Sequence, residues 1–197
     1  MAEGKKGLFK EICSHKRGVN TQVLEQTIAL AVEIAREGRE GRKIGTLFVV
    51  GDSEEVLRRS KTLILDPLAG HEAGLKRIDD ANMRETIKEL AQLDGAFVVS
   101  DEGVVVSATR YIDTASEGVE LPLGLGSRHM AAASVTRQTR AVAVVVSESS
   151  MVRMFDDGEL ISEIVPEFWM WDGYTSRLEG RTFTRTEEDI TVIGKSD

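Results

Sequence analysis

Gly124-Leu-Gly-Ser-Arg-His-Met-Ala-Ala-Ala133 changes texture halfway along. Its first half has the glycines of a loop, and its second half the alanines of a helix that packs closely. A helix start offers backbone N–H groups without intrahelical partners and the positive end of the helix dipole, so the junction suits an anion such as phosphate. Arg128 adds a planar, charged fork, and His129 a metal ligand or proton carrier. Upstream, Leu93-Asp94-Gly95-Ala96 places a carboxylate and a glycine at the start of an apolar run. Together the two stretches point to metal-assisted phosphoryl transfer.

Working outward, the segments alternate between helical and extended patterns. Residues 128–139 read as the alanine-rich helix, and Ala141 to Val146 as the most apolar strand, ending in Ser147-Glu148. Val152 to Phe155 and Leu160 to Ile164 flank Asp156-Asp157-Gly158 as a hairpin. Toward the N-terminus, a helix over about 80–93 leads into Asp94. Phe97 to Val99 and Val104 to Val106 enclose the turn Ser100 to Gly103. Asn20 is placed to cap a helix with the apolar stripe Val23, Leu24, Thr27, Ile28, Ala31, Ile34 and Ala35, which Gly38 and Gly41 end. Thr46 to Val50 reads as a buried strand, Ser53 as the cap of a short helix, and Thr62 to Leu65 as a strand stopped by Asp66-Pro67. Residues 69–78 read as irregular. The pattern predicts an α/β fold: a single globular domain with a central mixed β-sheet flanked by helices.

Residues 1–19 read as a mobile or docking N-terminal arm, 20–165 as the domain with its N-terminal helix, and 166–197 as a C-terminal extension packed on it. In that extension Phe168, Trp169 and Trp171 are expected to fill core or interface rather than stack on bases. The basic cluster Arg36, Arg39, Arg42 and Lys43 reads as a solvated helix end.

With 197 residues, 41% of them hydrophobic, the chain can bury one sizeable core. The single cysteine, Cys13, excludes an internal disulfide and fits a reducing compartment. No stretch is apolar for long enough to cross a bilayer, and the expectation is a cytoplasmic protein with no membrane partner. The formal charge of -8 argues against a nucleic-acid polymer, whose affinity comes from Lys and Arg on phosphates. It leaves room for a single nucleotide with a divalent cation.

Common nucleotide and hydrolase motifs are missing. No G-x-x-x-x-G-K-[ST] occurs, and Gly124-x-Gly126 lacks the third glycine and preceding strand of a dinucleotide site. Ser127 and His129 lack a nucleophile elbow. Cys13 and His15 have no further ligands to make a zinc site, and His71 reads as a surface residue.

Asp94-Gly95-Ala96, Gly126-Ser127-Arg128-His129 with Ala131-Ala132, and Val146-Ser147-Glu148, in this order, resemble the three motif blocks of diadenylate cyclase domains. The resemblance covers about residues 44–165 and is nearer the soluble archaeal type. It implies a domain that binds ATP and, meeting a second copy with opposed sites in a homo-oligomer, condenses two ATP into cyclic di-AMP and two pyrophosphates. Each 3′-hydroxyl attacks the α-phosphorus of the other nucleotide, with Mn²⁺, Mg²⁺ or Co²⁺.

By the same resemblance Asp94, Arg128 and His129 are catalytic, and Asp94, His129 and Glu148 would hold the metal. Gly95, Ala96, Tyr111, Ile112, Gly126, Ser127, Arg128 and Ser147 would contact the nucleotide. Met130 stands where the family has a second Arg, and Arg110 or Arg137 could supply that charge. Met130 also keeps open an ATP- or cyclic di-AMP-binding sensor with the same pocket and weak catalysis. A structural assembly module is the third reading. The stretch between Asp66 and Asp79 lies outside the family pattern.

Overall fold

The computed structural model describes residues 8–13, 18–113, 118–166 and 174–196. Nine strands form one sheet: β1 (Thr46–Val50), β2 (Ser60–Thr62), β3 (Ala96–Val99), β4 (Val105–Ile112), β5 (Val142–Val146), β6 (Val152–Asp156), β7 (Glu159–Val165), β8 (Thr182–Glu187) and β9 (Ile190–Lys195). Their order across the sheet is β2-β4-β3-β1-β5-β6-β7-β9-β8. β1 and β3 run parallel at the centre, and every other pairing is antiparallel. The predicted mixed sheet is thus observed.

Helices cover both faces: α1 (Thr21–Glu37), α2 (Ser53–Arg58), α3 (Ala81–Leu90) and α4 (Ser127–Gln138). The side-chain period of two divides each central strand between two cores. Phe48, Val50, Phe97, Val99, Val142, Val144 and Val146 face α1 and α3, whereas Leu47, Val49, Ala96, Val98, Ala143 and Val145 face α2 and α4. Burial on both sides is why these strands read as unbroken apolar runs. Each fully buried Val, Leu or Ile contributes about 1.5–3 kcal/mol, so these layers dominate the stability.

Local chemistry fixes the helix ends. The Asn20 side chain accepts from the Gln22 and Val23 amides at 3.0 and 3.3 Å, as its position predicted. Asp80 caps α3 through the Met83 amide at 2.9 Å. For α2 the cap is Asp52, in the left-handed region at φ 45°, and Ser53 is the first helical residue instead.

One further expectation is corrected and two are refined. Leu63 to Leu65 lie beyond β2 and are exposed, because β2 pairs with β4 only over Ser60–Thr62. Of the two readings of the N-terminal arm, mobile or docking, residues 8–13 fit the second: Leu8, Phe9, Ile12 and Cys13 are buried, and burial raises the Cys13 thiol far above its ordinary pKa. The chain after Pro166 contributes β8 and β9, which extend the sheet beyond β7. Phe168, Trp169, Trp171 and His15 lie outside the described residues.

The basic cluster after α1 is largely consumed by ion pairs. Arg39 meets Glu85 and Glu89 at 3.2 and 3.0 Å, and Arg36 meets Asp189. Lys88, buried on α3, joins Glu33, Glu37 and Glu85 within 3.2 Å.

Candidate active site

A cleft of about 670 Å³ opens where β3 begins, beside the last residues of β4 and the first turns of α4. β3 and its approach give Asp94, Gly95 and Ala96, and β4 gives Arg110, Tyr111 and Ile112. α4 gives Ser127, Arg128, Met130, Ala131 and Ser134, while Leu47 and Leu63 complete the walls. Helical spacing explains the α4 set, because Ser127, Ala131 and Ser134 are four and three residues apart. The sequence reading missed Ser134, for which that spacing was the available signal.

Arg128 organises the polar end. Its Nη2 donates to Asp94 Oδ1 at 3.4 Å and its Nη1 to Glu148 Oε1 at 3.2 Å, so one guanidinium joins motif blocks that lie 34 and 20 residues away. Both carboxylates are largely exposed and available to a ligand. Gly45 makes room for this arrangement: a Cβ there would stand 2.8 Å from Arg128 Nη1 and 3.2 Å from Glu148 Cγ. Nothing in its sequence neighbourhood marked Gly45. Gly126 precedes the first residue of α4 and no side chain caps that end, which keeps early amides open to an anion.

Gly95 serves the protein's own backbone. At φ 105° its absent Cβ would lie 2.5 Å from the Thr109 carbonyl carbon and 2.8 Å from the Arg110 nitrogen. The register slips there, from Ala96 opposite Arg110 to Val98 opposite Ser107. Thr109 itself stands at φ 51°, costly for a β-branched residue. Its hydroxyl donates to the Leu65 carbonyl at 2.5 Å, and Asp66 accepts from the Ser107 hydroxyl at 2.6 Å. Tyr111 follows this irregularity on β4 and lines the cleft, where its half-exposed ring carries Lys61 Nζ 5.1 Å from its centroid.

His129 sits away from the cleft walls, buried against Phe155. Arg153 Nη1 approaches its Nε2 at 3.5 Å, and Nδ1 is buried with no protein partner among the described residues. Burial first, then the charges of Arg153, Arg177 and Arg128, pushes the imidazole down to about 4, so it is neutral at pH 7. Donation from Arg153 makes Nε2 the acceptor and leaves the proton on Nδ1, an orphan donor at the first turn of α4.

Behind His129 lies a buried pair, Arg153 Nε to Glu163 Oε1 at 2.9 Å. Burial alone would raise the Glu163 carboxyl. Hydrogen bonds from Tyr174, the Arg177 amide, Ser176 and Arg153 outweigh it and hold the carboxyl below its ordinary value.

Two substitutes for the charge missing at Met130 do not serve. Arg137 lies at the far end of α4, paired with Asp157 at 3.1 Å. Arg110 lines the cleft, but its guanidinium is bound to Ser60, Thr62 and the Leu57 carbonyl. Ser147 and Glu148 lie at the end of β5, outside the cleft walls, with Ser147 Oγ bonded to Ser149 Oγ at 2.6 Å. Hard carboxylate oxygens such as those of Asp94 and Glu148 suit Mg²⁺ or Mn²⁺. Among the described residues no three His, Cys, Asp or Glu side chains converge on one cation position, so phosphate oxygens and water would have to complete its shell.

The molecule is an α/β domain with a mixed sheet, and the uncapped helix start beside a carboxylate at a strand entrance suits a phosphate-bearing ligand. Residues 33–160 match the DAC family model, described as DisA bacterial checkpoint controller nucleotide-binding, and the chain belongs to that family. It is 51% identical over 146 residues to a diadenylate cyclase of Methanocaldococcus jannaschii, covering 74% of this chain and 46% of that one. With a diadenylate cyclase of Haloferax volcanii it shares 42% identity over 146 residues, 74% of this chain and 53% of that one. The chain therefore spans about half the length of these curated relatives. Among solved structures, a double mutant of DacA from Staphylococcus aureus aligns with a TM-score of 0.47 at 18% identity, over 71% of this chain and 84% of that one. No described helix is long and apolar enough to cross a membrane.

Proposed function

We propose that this chain is a diadenylate cyclase, condensing two ATP into cyclic di-AMP and two pyrophosphates. The observation that carries the reading is Arg128 at the start of α4, joining Asp94 and Glu148 at the polar end of a cleft whose other walls are largely apolar. The base would lie among Leu47, Ala96, Tyr111 and Ile112, with Tyr111 offering a ring face. The triphosphate would run along the open amides of Gly126 and Ser127 toward Arg128.

One cleft of this size accommodates one nucleotide, so the second ATP must come from a second copy whose cleft opposes the first. Each 3′-oxygen forms a bond to the partner nucleotide's α-phosphorus. The bond from that phosphorus to the pyrophosphate breaks, and the hydroxyl proton passes to Asp94 or through it to water. Asp94 and Glu148 would share a divalent cation with the phosphates, which offsets charge on the leaving pyrophosphate when bound. The His129 Nδ1–H fits a phosphate oxygen better than a cation, because a metal ligand needs the lone pair that this tautomer lacks. Arg153 favours that tautomer.

The test is incubation with ATP and Mn²⁺, followed by chromatography and mass spectrometry for cyclic di-AMP. Wild type is expected to form it, and Asp94→Asn to lose at least about a hundredfold in rate. ATP binding without product would favour the sensor, the reading that Met130 on the cleft wall supports.

A further inference from the structure

The cleft is short of cations for the ligand proposed above. ATP carries about four negative charges, yet Arg128 is already shared between two carboxylates. Arg110 is spent on α2 and β2, and Lys61 faces Asp113 at 3.7 Å. Met130 brings no charge to its place on the wall.

A further guanidinium reaches this end of the molecule from outside the stretch that matches the family. Arg177 Nη2 lies 3.3 Å from where a Cβ on Gly124 would stand, two residues before the Gly126 that precedes α4. Its backbone is pinned, because the Arg177 amide donates to Glu163 Oε2 at 2.8 Å and the Ser176 hydroxyl to the same oxygen at 2.8 Å. Among the described residues its side chain has no carboxylate within ion-pair distance. Arg177 is also one of the charges that act on His129, together with Arg153 and Arg128, so its guanidinium lies within electrostatic reach of the first turn of α4. Independently, the Nδ1 of His129 on the first turn of α4 is buried and has no protein partner among the described residues.

We propose that Arg177 is a phosphate-binding residue of the site, gripping the pyrophosphate portion of the triphosphate from beside Gly124, in the loop that leads into α4. This rests on the reading of the cleft as an ATP site. Glu163 is then an anchor that holds Arg177 beside the helix start, and it explains a buried acid so far from the cleft walls. A planar guanidinium suits this task, since it can offer two parallel donors to phosphate oxygens.

The experiment is calorimetric titration of the full chain with 3′-deoxy-ATP in Mn²⁺, a ligand that lacks the attacking hydroxyl and cannot react. 3′-Deoxyadenosine monophosphate is titrated alongside. Arg177→Ala is expected to bind the triphosphate at least about tenfold more weakly than wild type while keeping its affinity for the monophosphate. Arg177→Lys is expected to recover part of the loss, and both variants should unfold at the wild-type temperature. Unchanged triphosphate affinity in Arg177→Ala would overturn the proposal and leave the ATP site standing. So would an equal loss for both ligands, which would mean a loosened helix start. If wild type itself binds neither ligand, the ATP reading fails, and the proposal with it.

Discussion

At residue 95 there is no room for a methyl group. Thr109 and Arg110 backbone atoms occupy the position where a Cβ would sit, and φ is 105°. Gly95→Ala is therefore expected to destabilise the fold by more than about 2 kcal/mol, read as a lower urea midpoint. ATP affinity should fall with it, because the strand irregularity that precedes Tyr111 would have to move. His129 gives a second residue-scale test, through pH. Its folded value of about 4 lies below the ordinary 6.5, so below pH 6.5 the unfolded chain takes up a proton that the folded chain refuses. That contribution is full above about pH 6.5 and is lost as pH falls toward 4. It amounts to about 2 kcal/mol after allowance for solvent screening. Urea midpoints at pH 7 and 5 should differ accordingly, and His129→Gln should flatten the difference. Asp94, Arg128 and their glycines were legible because each block is local in sequence. The room at Gly45 and the reach of Arg177 to Gly124 were not, since each contact joins residues more than 40 positions apart.

Among the elements, β6 and β7 are tied by a buried ion pair whose members cannot be removed one at a time without leaving a buried charge. Arg153→Met would strand Glu163 in the interior and should cost about 3–5 kcal/mol in chemical denaturation. Pairing it with Glu163→Leu should recover much of that loss, because two apolar side chains leave no charge unpaired. α1 provides a milder case: Asn20→Ala should cost about 1 kcal/mol by removing two amide contacts. The central strands and four helices could be read from periodicity, since both cores use every position of β1, β3 and β5. β2 was misplaced because Leu63, Ile64 and Leu65 look like a buried run yet stand in solvent. β8 and β9 escaped notice because β8 is a solvent-facing edge of Thr, Arg and Glu with little apolar alternation. The turn at Glu188 and Asp189 and the run Ile190 to Ile193 were the available signals.

For the molecule as a whole, the sheet places the cleft at one end of its parallel centre, with Asp94 just before β3 and α4 packed against β5 and β6. On the proposed function each copy holds one ATP in this cleft, and a cyclic dinucleotide needs two. Cyclic di-AMP formation per protein chain should therefore rise with protein concentration until the chain is fully assembled. A constant specific rate down to nanomolar protein would show an assembly already complete there, which ultracentrifugation at the same dilution would have to match. The overall acidity makes the few cations around α4 count for more, and added salt should weaken ATP binding.

If this cleft directs attack at the α-phosphorus, phosphorus NMR of the reaction with ATP and Mg²⁺ follows that atom directly. The expected result is loss of the α resonance into a phosphodiester signal, with one pyrophosphate released for each phosphodiester formed. Release of inorganic phosphate with accumulation of ADP would contradict it, because the attack would then fall on the γ-phosphorus.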